Sequence, residues 1–273
     1  MNILDTIVAE KRRELARLPL GGVTMERLAG AVAARGGVRD FTAALARARE
    51  AAPGGTDVGL IAEVKKASPS AGIIRADFDP VRIALDYEAA GASCLSVLTD
   101  QKFFQGSLGF LRAIRTAVQL PLLRKDFIID QRQILEAVEW GADAILLIAA
   151  ILDDQALRHL HTLARSAGLA VLVEAHDEGE ADRAVAVGAT LIGVNNRDLK
   201  TFKVDLATTE RIAARLQANG MPPGAMLVAE SGIHTRADVT RLAACGAGAI
   251  LVGESLMRHA DLQAKTRELL GRA

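Results

Sequence analysis

Apolar positions follow two regimes along the chain. From Met1 to about Gly55 they recur at helical spacing, with Ile3, Leu4, Ile7, Val8, Leu15 and Leu18 on one face of a first helix. Thr24 and Asp40 stand where N-caps stand, ahead of alanine-rich segments around 24–34 and 41–52. Ala52-Pro53-Gly54-Gly55 then reads as a turn or linker. Beyond it one unit repeats: a charged amphipathic segment, a glycine stop, and a short run rich in Val, Ile and Leu. The clearest stops are Gly91-Ala92, Gly141-Ala142, Gly188-Ala189 and Gly246-Ala247. Glycine supplies the left-handed conformation that ends a helix, and an unbroken apolar run of this length suits a strand buried on both faces. The runs predict eight strands, at 58–64, 93–98, 121–125, 144–148, 170–174, 191–195, 226–230 and 248–252.

Eight strands in roughly 215 residues leave about 27 per repeat, near the compact end of a closed parallel (β/α)8 barrel. The expected fold is therefore α/β: a (β/α)8 TIM barrel over residues 56–273, with an N-terminal helical extension, 1–55, packed on it. An open doubly wound sheet is the competing arrangement. It usually carries a glycine-rich dinucleotide fingerprint after an early strand, and no G-x-G-x-x-G follows any of these runs.

In such a barrel the loops after the strands build the active site, so the strand ends are read together. The first gives Glu63 and Lys65, which share a face at period two, followed by a loop at Ser68-Pro69-Ser70. The third gives Lys125, the fifth Glu174, the sixth Asn195 with Arg197, the seventh Glu230-Ser231-Gly232 and the eighth Gly253-Glu254-Ser255. One charge at a strand terminus is ordinarily a solvated surface group. Ionisable groups at matching positions on several strands converge on one mouth, and that pattern reads as an enzyme. Ser231-Gly232 and Gly253-Glu254 are expected to precede short helices whose backbone N–H groups cradle a phosphate, with Lys65 and Ser68 reaching the same anion from the first strand. Phe103, Phe104 and Phe127 lie beside strand ends 2 and 3 in a chain only 3% aromatic, and they suggest a slot for a planar ring.

Charge narrows the partners. The 33 basic and 33 acidic residues cancel, so no overall field draws nucleic acid or an anionic membrane, and a small molecule is expected. The five histidines form no ligand set, so neither a metal nor a cofactor is assigned. Cys94 and Cys245 lie far apart without metal or redox spacing and read as buried, reduced thiols. The apolar N-terminal residues precede Lys11-Arg12-Arg13, the reverse of a secretory signal, and no run approaches membrane-spanning length, so a cytoplasmic location is expected. The outer helices carry no large apolar stripe, which suggests a monomer.

Seven motifs in order carry a resemblance: Ile61-Ala62-Glu63-Val64-Lys65-Lys66-Ala67-Ser68-Pro69-Ser70; Leu98-Thr99-Asp100 through Phe103-Phe104-Gln105-Gly106-Ser107; Arg124-Lys125-Asp126-Phe127-Ile128; Leu172-Val173-Glu174; Ile192-Gly193-Val194-Asn195-Asn196-Arg197-Asp198-Leu199; Val228-Ala229-Glu230-Ser231-Gly232-Ile233; and Leu251-Val252-Gly253-Glu254-Ser255-Leu256-Met257. Together they resemble the indole-3-glycerol phosphate synthase family over essentially the whole chain. The resemblance implies a phosphosugar substrate, 1-(2-carboxyphenylamino)-1-deoxyribulose 5-phosphate, cyclised with loss of CO2 and water in tryptophan biosynthesis. It implies Lys125 as the acid for ring closure and Glu174 as the acid/base of dehydration; here Phe127 and the strand-end surroundings are expected to lower the Lys125 pKa towards working pH. Glu63 and Glu230 would hold the lysines and substrate hydroxyls, and Asn195 an oxygen that changes charge. The phosphate would sit at Ser231, Gly232, Gly253 and Glu254, the aromatic ring among Phe104, Phe127 and Leu146, and the carboxylate near Arg197 and Ser68. Lys65 stays open among phosphate, carboxylate and the dehydration proton. Two other readings stand: a class I aldolase with Lys125 as Schiff-base lysine, and a non-catalytic phosphosugar-binding barrel.

Overall fold

The computed structural model describes residues 3–19, 21–50, 58–199 and 201–272. The linker expected at 52–55 and the domain boundary after residue 55 lie outside them. Eight parallel strands, β1 (Gly59–Val64), β2 (Cys94–Leu98), β3 (Leu122–Lys125), β4 (Ala144–Ile148), β5 (Ala170–Ala175), β6 (Leu191–Asn195), β7 (Met226–Glu230) and β8 (Ala247–Val252), close in the order β1-β8-β7-β6-β5-β4-β3-β2. Each begins and ends within one residue of its predicted run. The glycine stops explain this agreement. Gly91, Gly141, Gly188 and Gly246 all take positive φ, between 76° and 102°, where a side chain would be strained.

Strand alternation divides the apolar residues into two shells. Ile61, Leu123, Leu172 and Val228 pack inside the barrel, whereas Leu60, Ala62, Val171 and Leu227 pack outward against the helices. A residue two positions beyond an inward one also points inward. Glu63, Lys125, Glu174 and Glu230 therefore form the next layer of the same interior, at the C-terminal mouth.

The extension reaches both ends of the barrel. Helix α1 (Ile3–Leu15) lies across the mouth, while α2 (Met25–Ala34) and α3 (Phe41–Glu50) serve the opposite end. The expected caps form: the Thr24 hydroxyl accepts from Arg27 N–H, and Asp40 Oδ1 accepts from Ala43 N–H at 2.8 Å. Phe41 and Leu45 on α3 are fully buried in the interior core with Ile61 and Cys94, so the helix plugs the bottom. Gly59 opens β1 because a Cβ there would stand 2.9 Å from the Leu45 side chain and 3.1 Å from its carbonyl oxygen. Buried Asp143 fastens this end, accepting from Arg39 N–H at 2.8 Å and pairing with Arg115 at 2.7 Å and Arg35 at 3.3 Å.

Cys94 is buried, but Cys245 is only half-buried because it ends the helix Arg236–Ala244 at the surface; both thiols are free. Among the described residues no helix is long and apolar enough to cross a membrane.

Candidate active site

A cavity of about 290 Å³ opens at the C-terminal mouth of the barrel. Glu63, Lys125, Glu174, Asn195 and Glu230 line it from the strand ends, and Lys65, Ser68, Phe104, Phe127, Arg197, Ser231, Gly232, Gly253 and Glu254 line it from the loops. Leu146 adds an apolar wall from β4. Ile3, Leu4 and Ile7 of α1 also line it, so the extension contributes directly to the site.

Lys125 occupies the centre. Its Nζ lies 3.4 Å from Glu174 Oε2 and 3.5 Å from Glu230 Oε2. Burial alone would depress the ammonium, but the charges of Glu174, Glu230 and Glu63 outweigh it, and the pKa rises well above the ordinary lysine value. The expected fall towards working pH is thus corrected: three carboxylates from three strands govern this lysine, not Phe127.

The carboxylates separate by their partners. Burial would raise Glu174, yet the Lys125 ammonium, the His176 ring and the Asn195 amide, which donates to Oε1 at 3.3 Å, hold it far below the usual range. Glu230 has the Lys125 ammonium but no counterpart of His176 or Asn195. Its Oε1 is buried without a hydrogen-bond partner, and burial, opposed by Lys125 and reinforced by the charges of Glu174 and Glu63, pushes its pKa up to about 8. Glu63 pairs with Lys65 at 2.7 Å and lies 3.5 Å from the Ser96 hydroxyl; burial opposes its charge, but Lys65 and Lys125 keep its pKa lowered. The site thus holds ionised and protonated carboxyls side by side.

Two glycines make room for this crowd. A Cβ at Gly193 on β6 would overlap Glu230 Oε1, and one at Gly253 would overlap Glu63 Oε1 and stand 3.1 Å from Lys65 Nζ. Gly232 serves a different neighbour, since a Cβ there would overlap Val204. Ser231 and Gly232 take left-handed φ values of 67° and 77° and lead into a loop; the next helix, Arg236–Ala244, is capped by Thr235. A short helix does follow Ser231-Gly232, but three residues on, because consecutive left-handed residues first turn the chain into a loop. Gly253 does precede a short helix, Glu254–Met257. The Glu254 side chain turns to Arg258 at 3.0 Å and Arg197 at 3.5 Å, leaving its backbone for any anion.

The Phe104 and Phe127 rings lie with centroids 6.0 Å apart, tilted by 38°. Phe103 is not among the residues lining the cavity and instead stacks under Lys102 at 5.8 Å. Ser68 sits in a two-stranded hairpin, Ala67–Ser68 with Gly72–Ile73, and its hydroxyl accepts from Ala71 N–H at 3.2 Å.

A family model described as "Indole-3-glycerol phosphate synthase" matches residues 4–269. The chain belongs to this family. Indole-3-glycerol phosphate synthases of Aromatoleum aromaticum and Laribacter hongkongensis are similar to it at 48% and 47% identity, over 99% and 95% of both chains. One from Azospirillum brasilense is 54% identical over 78% of this chain and 79% of its own. Among solved structures, a 3-hexulose-6-phosphate synthase superposes with TM-score 0.61 at 17% identity, covering 79% of this chain and 100% of its own, which shows the shared barrel.

His176, Ser96, Gly193 and Lys11 escaped the sequence reading. His176, in the loop after β5, has Nε2 3.3 Å from Glu174 Oε1 and Nδ1 3.0 Å from Glu180 Oε2. Burial works against its charge, but these two carboxylates push the pKa up to about 10. Two-residue spacing from Glu174 was the available signal, obscured because β5 ends between them. Lys11 is buried against Asp100 and Asp126, both at 2.9 Å, with Glu14 at 2.8 Å. In sequence it stands only as the first residue of the basic run Lys11-Arg12-Arg13.

Proposed function

We propose that this cavity binds 1-(2-carboxyphenylamino)-1-deoxyribulose 5-phosphate and closes its indole ring with loss of CO2 and water, a step of tryptophan biosynthesis. The observation that carries this reading is the Lys125 ammonium, held between Glu174 and Glu230 on the floor of an aromatic-walled cavity. Ring closure puts negative charge on the ketone oxygen, and Lys125 donates to it. The forming alkoxide is basic enough to take the proton even from a lysine of raised pKa. Decarboxylation then frees the ring electrons. Glu174, ionised before reaction, removes a proton in the dehydration, while Glu230, protonated at neutral pH, donates to a substrate hydroxyl. Asn195 steadies the changing charge on Glu174, and Glu63 holds Lys65.

The substrate's phosphate is assigned to the backbone of Ser231, Gly232, Gly253 and Glu254. The position of Lys65 Nζ beside Gly253 favours the phosphate end for this lysine. The aromatic ring lies between Phe104 and Phe127 with Leu146 and α1 around it, and the carboxylate faces Arg197 and Ser68. A class I aldolase reading would need a neutral amine at Lys125, which its three carboxylates oppose. The partner is a small phosphosugar, and the protein is proposed to act as a cytoplasmic monomer.

The test is direct. The protein, incubated with the carboxyphenylamino-deoxyribulose phosphate, should develop indole fluorescence, and silence in that assay would remove the reading. Borohydride trapping of a ketose phosphate on Lys125 would favour the aldolase instead.

A further inference from the structure

We propose that His176 reloads the buried acid, passing one proton per turnover from the Glu180 side of its loop through Glu174 to Lys125. This rests on the ring-closing function proposed above and adds a step to it.

The need for such a path follows from proton balance. An aryl carboxylic acid is ionised at neutral pH, its pKa being comparable to that of other carboxyls. The carboxylate form of the substrate loses CO2 and a hydroxyl, and the hydroxyl leaves as water only if one proton is taken up. Each turnover therefore draws one proton into a site whose acids lie beneath the bound substrate. Lys125 gives a proton to the ketone oxygen and Glu230 one to the departing hydroxyl, while Glu174 gains one and returns it to Glu230; the deficit that remains is the neutral amine of Lys125, which must be recharged.

The geometry supplies a route that avoids the substrate side. Glu174 presents Oε2 to Lys125 Nζ at 3.4 Å and Oε1 to His176 Nε2 at 3.3 Å, so its carboxyl bridges the two. The His176–Glu174 contact is poorly aligned for a hydrogen bond at rest, leaving that ring nitrogen without a formal partner. The far side of the ring is fixed by Glu180, whose Oε2 accepts from the His176 backbone N–H at 2.9 Å and faces Nδ1 at 3.0 Å. His176, Asp177 and Glu180 also line a second cavity, of about 570 Å³, which shares the wall formed by Leu4, Asn195, Arg197 and Leu199 with the first. Asp177 on its rim is exposed. One face of the imidazole thus meets the buried carboxylate and the other the solvent side.

Electrostatics order the steps. Before reaction, the ring is held as imidazolium by its two carboxylates, and Glu174 stays ionised beside the Lys125 ammonium. Once Lys125 is neutral, Glu174 loses the charge that chiefly holds its pKa down and becomes a proton acceptor. The Nε2 proton moves to Glu174 Oε1 and rotation of the carboxyl delivers it to the amine; the neutral ring, still protonated at Nδ1, then swings its bare Nε2 towards the second cavity, takes a proton from solvent there and returns. Substrate is never touched by His176, which acts through Glu174 alone.

The test separates chemistry from reloading. In His176→Asn, with enzyme in excess, the single-turnover rate should stay within about threefold of wild type, while steady-state kcat falls by roughly tenfold or more. Added imidazole should restore kcat in proportion to its concentration. Glu180→Gln, which leaves the ring in place, should show the same split and serves if the first variant folds poorly. Single-turnover and steady-state rates falling together, an unchanged steady state, or no response to imidazole would each overturn the relay. A wild-type protein that forms no indole product would overturn the ring-closing function itself, and the relay with it.

Discussion

The two ends of the barrel receive the same N-terminal extension by opposite chemistry. At the bottom, α3 inserts Phe41 and Leu45 into an apolar core, and a glycine at the start of β1 lets it approach closely. At the mouth, α1 is fastened by one buried lysine shared among Glu14, Asp100 and Asp126, while Ile3, Leu4 and Ile7 face the cavity. Apolar burial is non-directional and strong per residue, which suits a permanent plug. A buried ion cluster fixes one geometry but contributes little net stability after desolvation, which suits a segment that must place its side chains over a ligand. Stability and activity are therefore expected to part along the barrel axis.

The largest effect should come from the mouth. Lys125→Ala removes the central donor and should lower kcat by roughly 10²–10⁴-fold with the thermal midpoint nearly intact, and near-normal turnover would sink its role as acid. Glu174→Gln should act in the same sense, with a large fall in kcat and modest change in KM; a purely KM effect would make Glu174 a binding group. At the other end, Phe41→Ala should cost about 3–5 kcal/mol of unfolding free energy. Denaturant titration measures this, and kcat per folded molecule should not move. Lys11→Met probes the border between the two ends. It leaves Asp100 without its cation and Asp126 with Arg124 alone, so α1 should loosen and KM should rise several-fold. An unchanged KM would show that α1 does not need this lysine to cover the cavity.

The smallest effect is a pH limb. Glu230 is protonated below about 8 and loses its proton as pH rises through that value, so kcat/KM should fall on the alkaline side and Glu230→Gln should flatten that limb. The sign for stability is the same. Between the ordinary glutamate value of 4.5 and about 8 the folded protein holds a proton that the unfolded chain has lost, so this group makes the fold less stable as pH rises through that window.

Much of this was legible from residues alone. Strand positions follow from apolar runs closed by glycines, and inward-facing groups from counting in twos, as Ile61 to Glu63 and Leu172 to Glu174 show. What escaped depends on elements meeting across the fold. The raised pKa of Lys125 needs carboxylates from β1, β5 and β7 at once, and the depressed one expected from Phe127 and the strand-end surroundings weighed desolvation without those charges. The contact of His176 depends on the next helix, Glu178–Ala186, placing Glu180 in its first turn, and Lys11 is buried because the segments after β2 and β3 present Asp100 and Asp126 to it. The loop between Ser231-Gly232 and the helix at Arg236 was hidden because neighbouring residues do not reveal two successive left-handed conformations.

Gly193 with Glu230, and Gly253 with Glu63, each divide a single volume between two chain positions far apart in sequence. For anyone redesigning this pocket, the four residues are thus two units of choice: a larger side chain at either glycine calls for a shorter acid opposite, and new room for a different substrate is gained by changing a pair together.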